Sequence, residues 1–256
     1  MEIDISTPQS ARIWNYWLGG KDHYAVDREA GDAVIAQIPD IPEGARAERA
    51  FLVRVVRHLV EEEGLRQFLD VGTGLPTANN THEVAQRLAP ESRVVYVDND
   101  PIVLAHARAL LTSTPEGKTD YLDSDLRRPE EIVEAARETL DFDQPIGLML
   151  LGVLNHVMDD DEARSAVRAL VDALAPGSFL VLTHSTAEVH GEPMLRAMRE
   201  TTERGGTPIR ARTAAEIEGL FAGTTLQEPG VVTCSQWRPE REGEKPVYLF
   251  GGVGRV

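Results

Sequence analysis

From Gln67 to Thr183 the chain alternates short apolar runs with longer amphipathic stretches, and no other feature narrows the fold as far. The apolar runs are residues 68–71, 93–97, 119–122, 146–151 and 179–183, and the amphipathic stretches are 80–88, 102–111, 129–140 and 159–175. Gly147-Leu148-Met149-Leu150-Leu151 is a continuous run without alternation, as expected of a strand buried on both faces. Strands separated by helices predict βαβ units around a parallel sheet with helices on both sides. The end of the chain differs. After helical stretches at 194–203 and 214–221 come two β-rich runs, 231–236 and 246–250, with only the polar loop 238–245 between them, which predicts an antiparallel hairpin.

The residues before Gln67 read as helical. Residues 45–63 place Phe51, Leu52, Val55, Val56, Leu59 and Val60 on one face, and Gly64 is a stop. Pro39 and Pro42 separate this helix from an earlier one at 22–37. The expected organisation is one domain, with an N-terminal helical part at 1–64 and an α/β, doubly wound core at 65–256.

Composition removes several function classes. The 256 residues carry 26 Lys plus Arg against 42 Asp plus Glu, a formal charge of −16, which argues against wrapping nucleic acid. No apolar run reaches the roughly 18–20 residues of a membrane helix, and Met-Glu-Ile-Asp-Ile lacks the basic start of a secretory signal, so a cytoplasmic location is expected. The single cysteine, Cys234, cannot form an internal disulfide and reads as a small core residue. No His/Asp/Glu grouping has metal-ligand spacing, so no metal is expected.

The main chemical signal is Leu69-Asp70-Val71-Gly72-Thr73-Gly74 at the end of the first sheet strand. Gly72 and Gly74, flanking Thr73, let the backbone turn and approach a ligand. A nicotinamide dinucleotide loop would carry a third glycine, but here Leu75-Pro76-Thr77 follows. Asp70 in front of the loop suits a cationic ligand. Asp98, beside Asn99, closes the next strand, where a carboxylate can accept from two ribose hydroxyls; Asn99 or Asp100 is the better helix cap. Asp123-Ser124-Asp125-Leu126 follows the third strand. Asp125 can accept from an adenine amino group with Leu126 against the ring, or serve in a turn before Pro129. Leu151-Gly152-Val153-Leu154-Asn155-His156 ends the fourth strand. All four segments fall at strand C-termini, where open α/β sheets bind ligands.

These residues resemble the class I S-adenosylmethionine-dependent methyltransferases. More narrowly, Trp14-Asn15-Tyr16-Trp17-Leu18-Gly19-Gly20-Lys21-Asp22-His23-Tyr24 with Asp27-Arg28, the Gly74-Leu75-Pro76-Thr77 loop, Glu228-Pro229-Gly230 and Trp237-Arg238-Pro239 resemble a largely uncharacterised methyltransferase family. The resemblance implies a Rossmann-like, seven-stranded sheet with an antiparallel last strand and a helical lid. It implies that Gly72 and Gly74 back the methionine part of S-adenosylmethionine, Asp98 holds the ribose, Asp125 and Leu126 face adenine, and the backbone of Leu151 and Gly152 lies near the ammonium. It also brings Tyr16, Gly19, Gly20, Lys21 and Tyr24 towards the cofactor; the alternative is a lid-anchoring turn held by Lys21, Asp22 and Arg28.

Methyl transfer is an in-line displacement that needs a base only where the acceptor must lose a proton. His156 and Tyr24 are the catalytic candidates, with His184 and His23 behind them. Arg204, Arg210 and Arg212 form a basic cluster, either a solvated face or a contact for an anionic acceptor. The expected partner is a small-molecule acceptor, with the chain a monomer or homodimer and S-adenosylhomocysteine the product. Two rival readings remain. One is a catalytically silent sensor that binds S-adenosylmethionine or S-adenosylhomocysteine; the other is an NAD-dependent oxidoreductase.

Overall fold

The structure, a computed structural model, describes residues 5–110 and 112–256. Three helices come first, α1 (Ser10–Trp17), α2 (Ala25–Ile35) and α3 (Ile41–Glu61). The alternating part follows as β1 (Gln67–Val71), α4 (Thr81–Leu88), β2 (Arg93–Asp98), α5 (Pro101–Leu110), β3 (Lys118–Asp123), α6 (Pro129–Ala136), β4 (Gly147–Leu151), α7 (Asp160–Asp172) and β5 (Phe179–Ser185). The chain ends with α8 (Glu192–Glu203), α9 (Ala214–Gly219), β6 (Thr225–Leu226), β7 (Val232–Thr233) and β8 (Leu249–Arg255). Of the predicted elements, Leu111 at the end of one helix and residues 1–4 of the N-terminal part lie outside the described residues.

The strand order is β3-β2-β1-β4-β5-β8-β6, with β7 also on β8. β1 to β5 are parallel, and β8 runs antiparallel to β5 from Ser185↔Leu249 to Phe179↔Arg255. Thr225 of β6 faces Arg255, while Val232 of β7 faces Gly251. The two short strands therefore share one edge of β8, and the eight segments make a sheet seven strands wide. The order reverses between β1 and β4, the place where such folds open a ligand crevice.

Strand alternation builds two cores. Phe68, Val94, Tyr96, Met149 and Val181 point to the side of α3, α4 and α8. Leu69, Val95, Leu148, Leu150 and Leu182 point to the side of α6, α7 and α9. Helix starts follow local chemistry: Asn80 and Glu83 form a capping box on α4, and the Asp159 side chain accepts from the amides of Asp161 and Glu162. Pro42 falls in the first turn of α3, where its missing N–H costs nothing, so that helix starts at Ile41, four residues earlier than predicted.

The predicted hairpin exists with different limits. Its second strand runs 249–255 where 246–250 was expected, because Gly251, Gly252 and Gly254 interrupt the apolar signal. Its first strand shrinks to β7. Beyond Thr233 the hydroxyls of Thr233 and Ser235 donate to the carbonyls of Val247 and Lys245, and residues 234–236 turn into a 3-10 helix. Cys234 is fully buried there. Among the described residues no helix is long and apolar enough to cross a membrane.

The N-terminal helical part is tied by a buried ion pair. Arg12 Nε donates to Asp27 Oδ2 at 2.8 Å, and Asp27 also accepts from the amides of Gln9 and Tyr24. The anchor is therefore Arg12 with Asp27, and not the expected Lys21, Asp22 and Arg28 links. Asp27 lies at the N-terminal end of α2, where its carboxylate can satisfy several donors at once.

Candidate functional site

The C-terminal ends of β1, β2, β3 and β4 open into a cleft of about 480 Å³, closed from the other side by α1, α3 and α8. Asp70, Gly72, Thr73, Gly74, Asp98, Asn99, Asp125, Leu126, Leu151, Gly152 and His156 all line it. Four separate sequence segments thus meet on one wall.

Gly72 and Gly74 have φ of +78° and +65°, a region costly for other residues. They differ in their surroundings. A side-chain carbon at Gly72 would strike Val153, whereas one at Gly74 would meet open space. Gly72 thus lets the loop pack on the segment after β4, and Gly74 leaves room in the cleft. The Gly74 amide donates to Asp98 Oδ2 and the Asp100 amide to Asp98 Oδ1, both at 2.9 Å. The Asp98 carboxylate is thereby fixed at the tip of β2, and burial raises its pKa above the ordinary value. Asp100 caps α5 through the Ile102 amide.

Asp125 accepts from the Arg127 amide and from Asn99 Nδ2. Partial burial pushes its pKa up, but the Arg127 amide and guanidinium and Asn99 outweigh this and hold it below the usual value. Asp70 is buried, takes a 2.6 Å bond from the Thr81 hydroxyl, and has its pKa raised by burial to about 6.

Two cleft residues escaped the sequence reading. Glu48 of α3 is buried, accepts from the Thr183 hydroxyl and has its pKa raised by burial to about 7. A side-chain carbon at Gly152 would lie 3.5 Å from its Oε1. Arg49 follows it. Its Nη2 donates to the carbonyls of Ala78 and Asn79, while its buried Nε has no partner among the described residues. Thr77 Oγ1 and Ser124 Oγ, also on the cleft, are buried without partners in the same way. The available signal was Glu48 itself, a charge three and four residues before Phe51 and Leu52 on an otherwise apolar face.

His156 sits on a 3-10 turn, Val153–His156, whose carbonyls are held one after another. Arg212 donates to Leu154 and Val157, the Arg210 amide to Asn155, and Arg127 to His156. Arg210 and Arg212 also pair with Asp160 at 2.6 and 2.9 Å. Arg212 is thus buried and not part of a solvated face, and neither of these two arginines lines the cleft. Pro208 O can only accept, so His156 Nδ1 carries the proton of that 3.0 Å bond, and Nε2 takes a 3.1 Å bond from the Ser10 hydroxyl of α1. Burial lowers the His156 pKa below 6.5.

His184 is fully buried, donates through Nδ1 to Ser185 O and accepts at Nε2 from Arg212, with its pKa lowered to about 4 by burial. Both nitrogens are engaged away from the cleft. Tyr16, Gly19, Gly20, Lys21, His23 and Tyr24 also do not line the cleft. The Tyr16 hydroxyl donates to Asp32, Gly20 and Asp22 bond to Asn15, Lys21 is exposed, and Tyr24 caps α2 beneath the Arg12 guanidinium. Dense polar chemistry in this segment joins α1 to α2.

Comparison with known proteins adds family and fold. Residues 1–256 match the S-adenosyl methyltransferase family. A DUF574 family protein from Streptomyces avermitilis MA-4680 is 45% identical over 99% of each chain, with a TM-score of 0.95. A candidate methyltransferase from Thermobifida fusca YX is 41% identical, covers 98% of this chain and 96% of its own, and gives 0.88. Human N-acetylserotonin methyltransferase, in complex with S-adenosylmethionine, shares the fold at 14% identity and a TM-score of 0.52, over 94% of this chain and 61% of its own. Among proteins with curated descriptions none matches.

Proposed function

The chain belongs to the S-adenosyl methyltransferase family, and we propose that it moves the methyl group of S-adenosylmethionine onto a small-molecule acceptor inside this cleft. One observation carries the reading. Asp98 is held by two backbone amides beside an open Gly74, in a cleft where Arg49 Nε, Thr77 Oγ1 and Ser124 Oγ lack partners. Preset acceptors and unsatisfied donors fit a ligand that is polar along its length.

S-adenosylmethionine, when bound, supplies a methyl group activated by the sulfonium. Asp98 takes the ribose hydroxyls, and Leu126 with Asp125 takes the adenine. Glu48 and the Leu151–Gly152 backbone receive the ammonium, with Arg49 Nε for the carboxylate. Asp70 adds negative charge under the cationic end. His156 serves as base through Nε2, which is the free lone pair of the ring once Nδ1 is committed to Pro208 O. An acceptor O–H or N–H that displaces the Ser10 hydroxyl gives its proton to Nε2 while its lone pair forms the new bond to carbon; the electron pair of the broken C–S bond stays on sulfur.

The test is incubation of the purified chain with methyl-labelled S-adenosylmethionine and a small-molecule fraction of cell extract. S-adenosylhomocysteine formation that depends on the fraction supports the reading. Tight binding without turnover in any fraction overturns it in favour of a sensor.

A further inference from the structure

Charge is unevenly spread over the cleft. Asp70, Asp98, Asp100, Asp125, Arg127 and His156 line it from the strand ends and the segments that follow them, and Glu48 and Arg49 line it from α3, with Glu48 the leading charge acting on Tyr248. The helical side of the cleft is lined by Trp14 and Trp17 of α1, Val34 of α2, Met194 and Met198 of α8, and Tyr248, with no charged side chain from α1, α2 or α8. These six residues belong to one apolar cluster. Trp14 and Trp17 meet edge to face with ring centres 5.8 Å apart. Tyr248 is 3% exposed, and its hydroxyl has no partner among the described residues.

Each feature constrains an occupant. An anionic group placed here would lose its hydration without finding a counter-charge, because the charge that acts on Tyr248 from the cleft is the Glu48 carboxylate. Indole edges and methionine thioethers favour flat π-systems, and two methionines adapt to their outline. A buried phenol hydroxyl without a partner costs stability unless a ligand supplies one.

We propose that this side of the cleft seats the methyl acceptor, and that the acceptor is a flat aromatic alcohol or phenol without negative charge, with a second polar atom bonded to the Tyr248 hydroxyl. The inference rests on the methyltransferase reading above and names its substrate class. The acceptor's reactive hydroxyl points to His156 and the strand ends. Its ring lies between α1 and α8. Burial raises the Tyr248 pKa well above 10, so its hydroxyl stays a neutral donor.

The full chain is saturated with S-adenosylhomocysteine and titrated calorimetrically with 2,7-dihydroxynaphthalene and with naphthalene-2-sulfonate. The diol is expected to bind with a sub-millimolar Kd and the anion at least about tenfold more weakly. Met198→Glu should abolish diol binding, and Tyr248→Phe should weaken it roughly fivefold. Both variants should keep their S-adenosylhomocysteine affinity, which also reports that they fold. Equal affinity for diol and sulfonate overturns the proposal. So does failure of the diol to bind a chain that binds S-adenosylhomocysteine, or diol affinity that Tyr248→Phe leaves unchanged. Loss of S-adenosylhomocysteine binding by the unmodified chain would overturn the methyltransferase reading first, and this proposal with it.

Discussion

The two walls of the cleft are built on opposite plans. The strand-end wall is charged, and its carboxylates are fixed by the chain's own amides: Asp98 by Gly74 and Asp100, Asp125 by Arg127. The helical wall takes its charge from Glu48 and Arg49 of α3 alone, is otherwise apolar where α1, α2 and α8 line it, and is held by packing, with the buried Arg12–Asp27 pair as its tether. A wall preset by backbone amides binds the same ligand shape whatever the acceptor. A wall of tryptophan and methionine can change its outline with few substitutions. The cofactor half and the acceptor half of a methyl-transfer site have those two needs.

Breaking the strand-end wall should cost most. Arg212 holds the carbonyls of Leu154 and Val157, His184 and Asp160 from a buried position. Arg212→Ala leaves the Leu154 and Val157 carbonyls and His184 Nε2 without this donor, with Asp160 kept only by Arg210, and should lower unfolding stability by about 3–5 kcal/mol in urea titrations. Next comes the proposed base. His156→Asn keeps a polar side chain but removes the Nε2 lone pair, and should reduce turnover by about a hundredfold. In the unmodified enzyme the acid limb of kcat/KM should fall below pH 6.5, because burial lowers the imidazole pKa and the neutral ring persists into mild acid. An unchanged rate in His156→Asn would leave the acceptor without a protein base.

A smaller effect concerns Glu48. Its folded-state pKa of about 7 lies above the ordinary 4.5, so the free chain holds an extra proton between these values and loses stability as pH rises through that window. Binding of an ammonium group requires the carboxylate. Affinity for S-adenosylmethionine should therefore be about tenfold weaker at pH 6 than at pH 8, and Glu48→Gln should flatten that dependence. The smallest effect is expected on the outer face of the lid. Lys21→Ala removes an exposed side chain away from the cleft and should change cofactor affinity less than about twofold; a large loss would mean that the lid turns inward when the cofactor binds.

The contrast between the walls also explains what could be read from sequence. Strand ends announce themselves through period and glycine, so Asp70, Gly72, Gly74, Asp98, Asp125 and Gly152 could be placed on one edge before any coordinates. Glu48 and Arg49 could not, because a helix before β1 gives no hint of which turn will face β4. The family signature from Tyr16 to Tyr24 pointed to the cofactor, yet in the structure its polar groups join α1 to α2, and residue type alone cannot separate ligand contacts from helix-joining ones. The proposed acceptor wall draws on α1, α2, α8 and Tyr248, which only tertiary packing assembles. β8 was misjudged for a related reason. Its glycines weaken the apolar signal although Val253 is fully buried.

The central claim is that Asp98, held by Gly74 and Asp100, makes the strand-end wall a site for S-adenosylmethionine. Its most direct test is calorimetric titration of the full chain and of Asp98→Ala with S-adenosylmethionine and NAD. The account predicts micromolar binding of S-adenosylmethionine, no binding of NAD, and about a hundredfold loss in the variant, as expected when two hydrogen bonds to a charged group disappear. Equal affinity of the variant for S-adenosylmethionine, or preference of the chain for NAD, would contradict it.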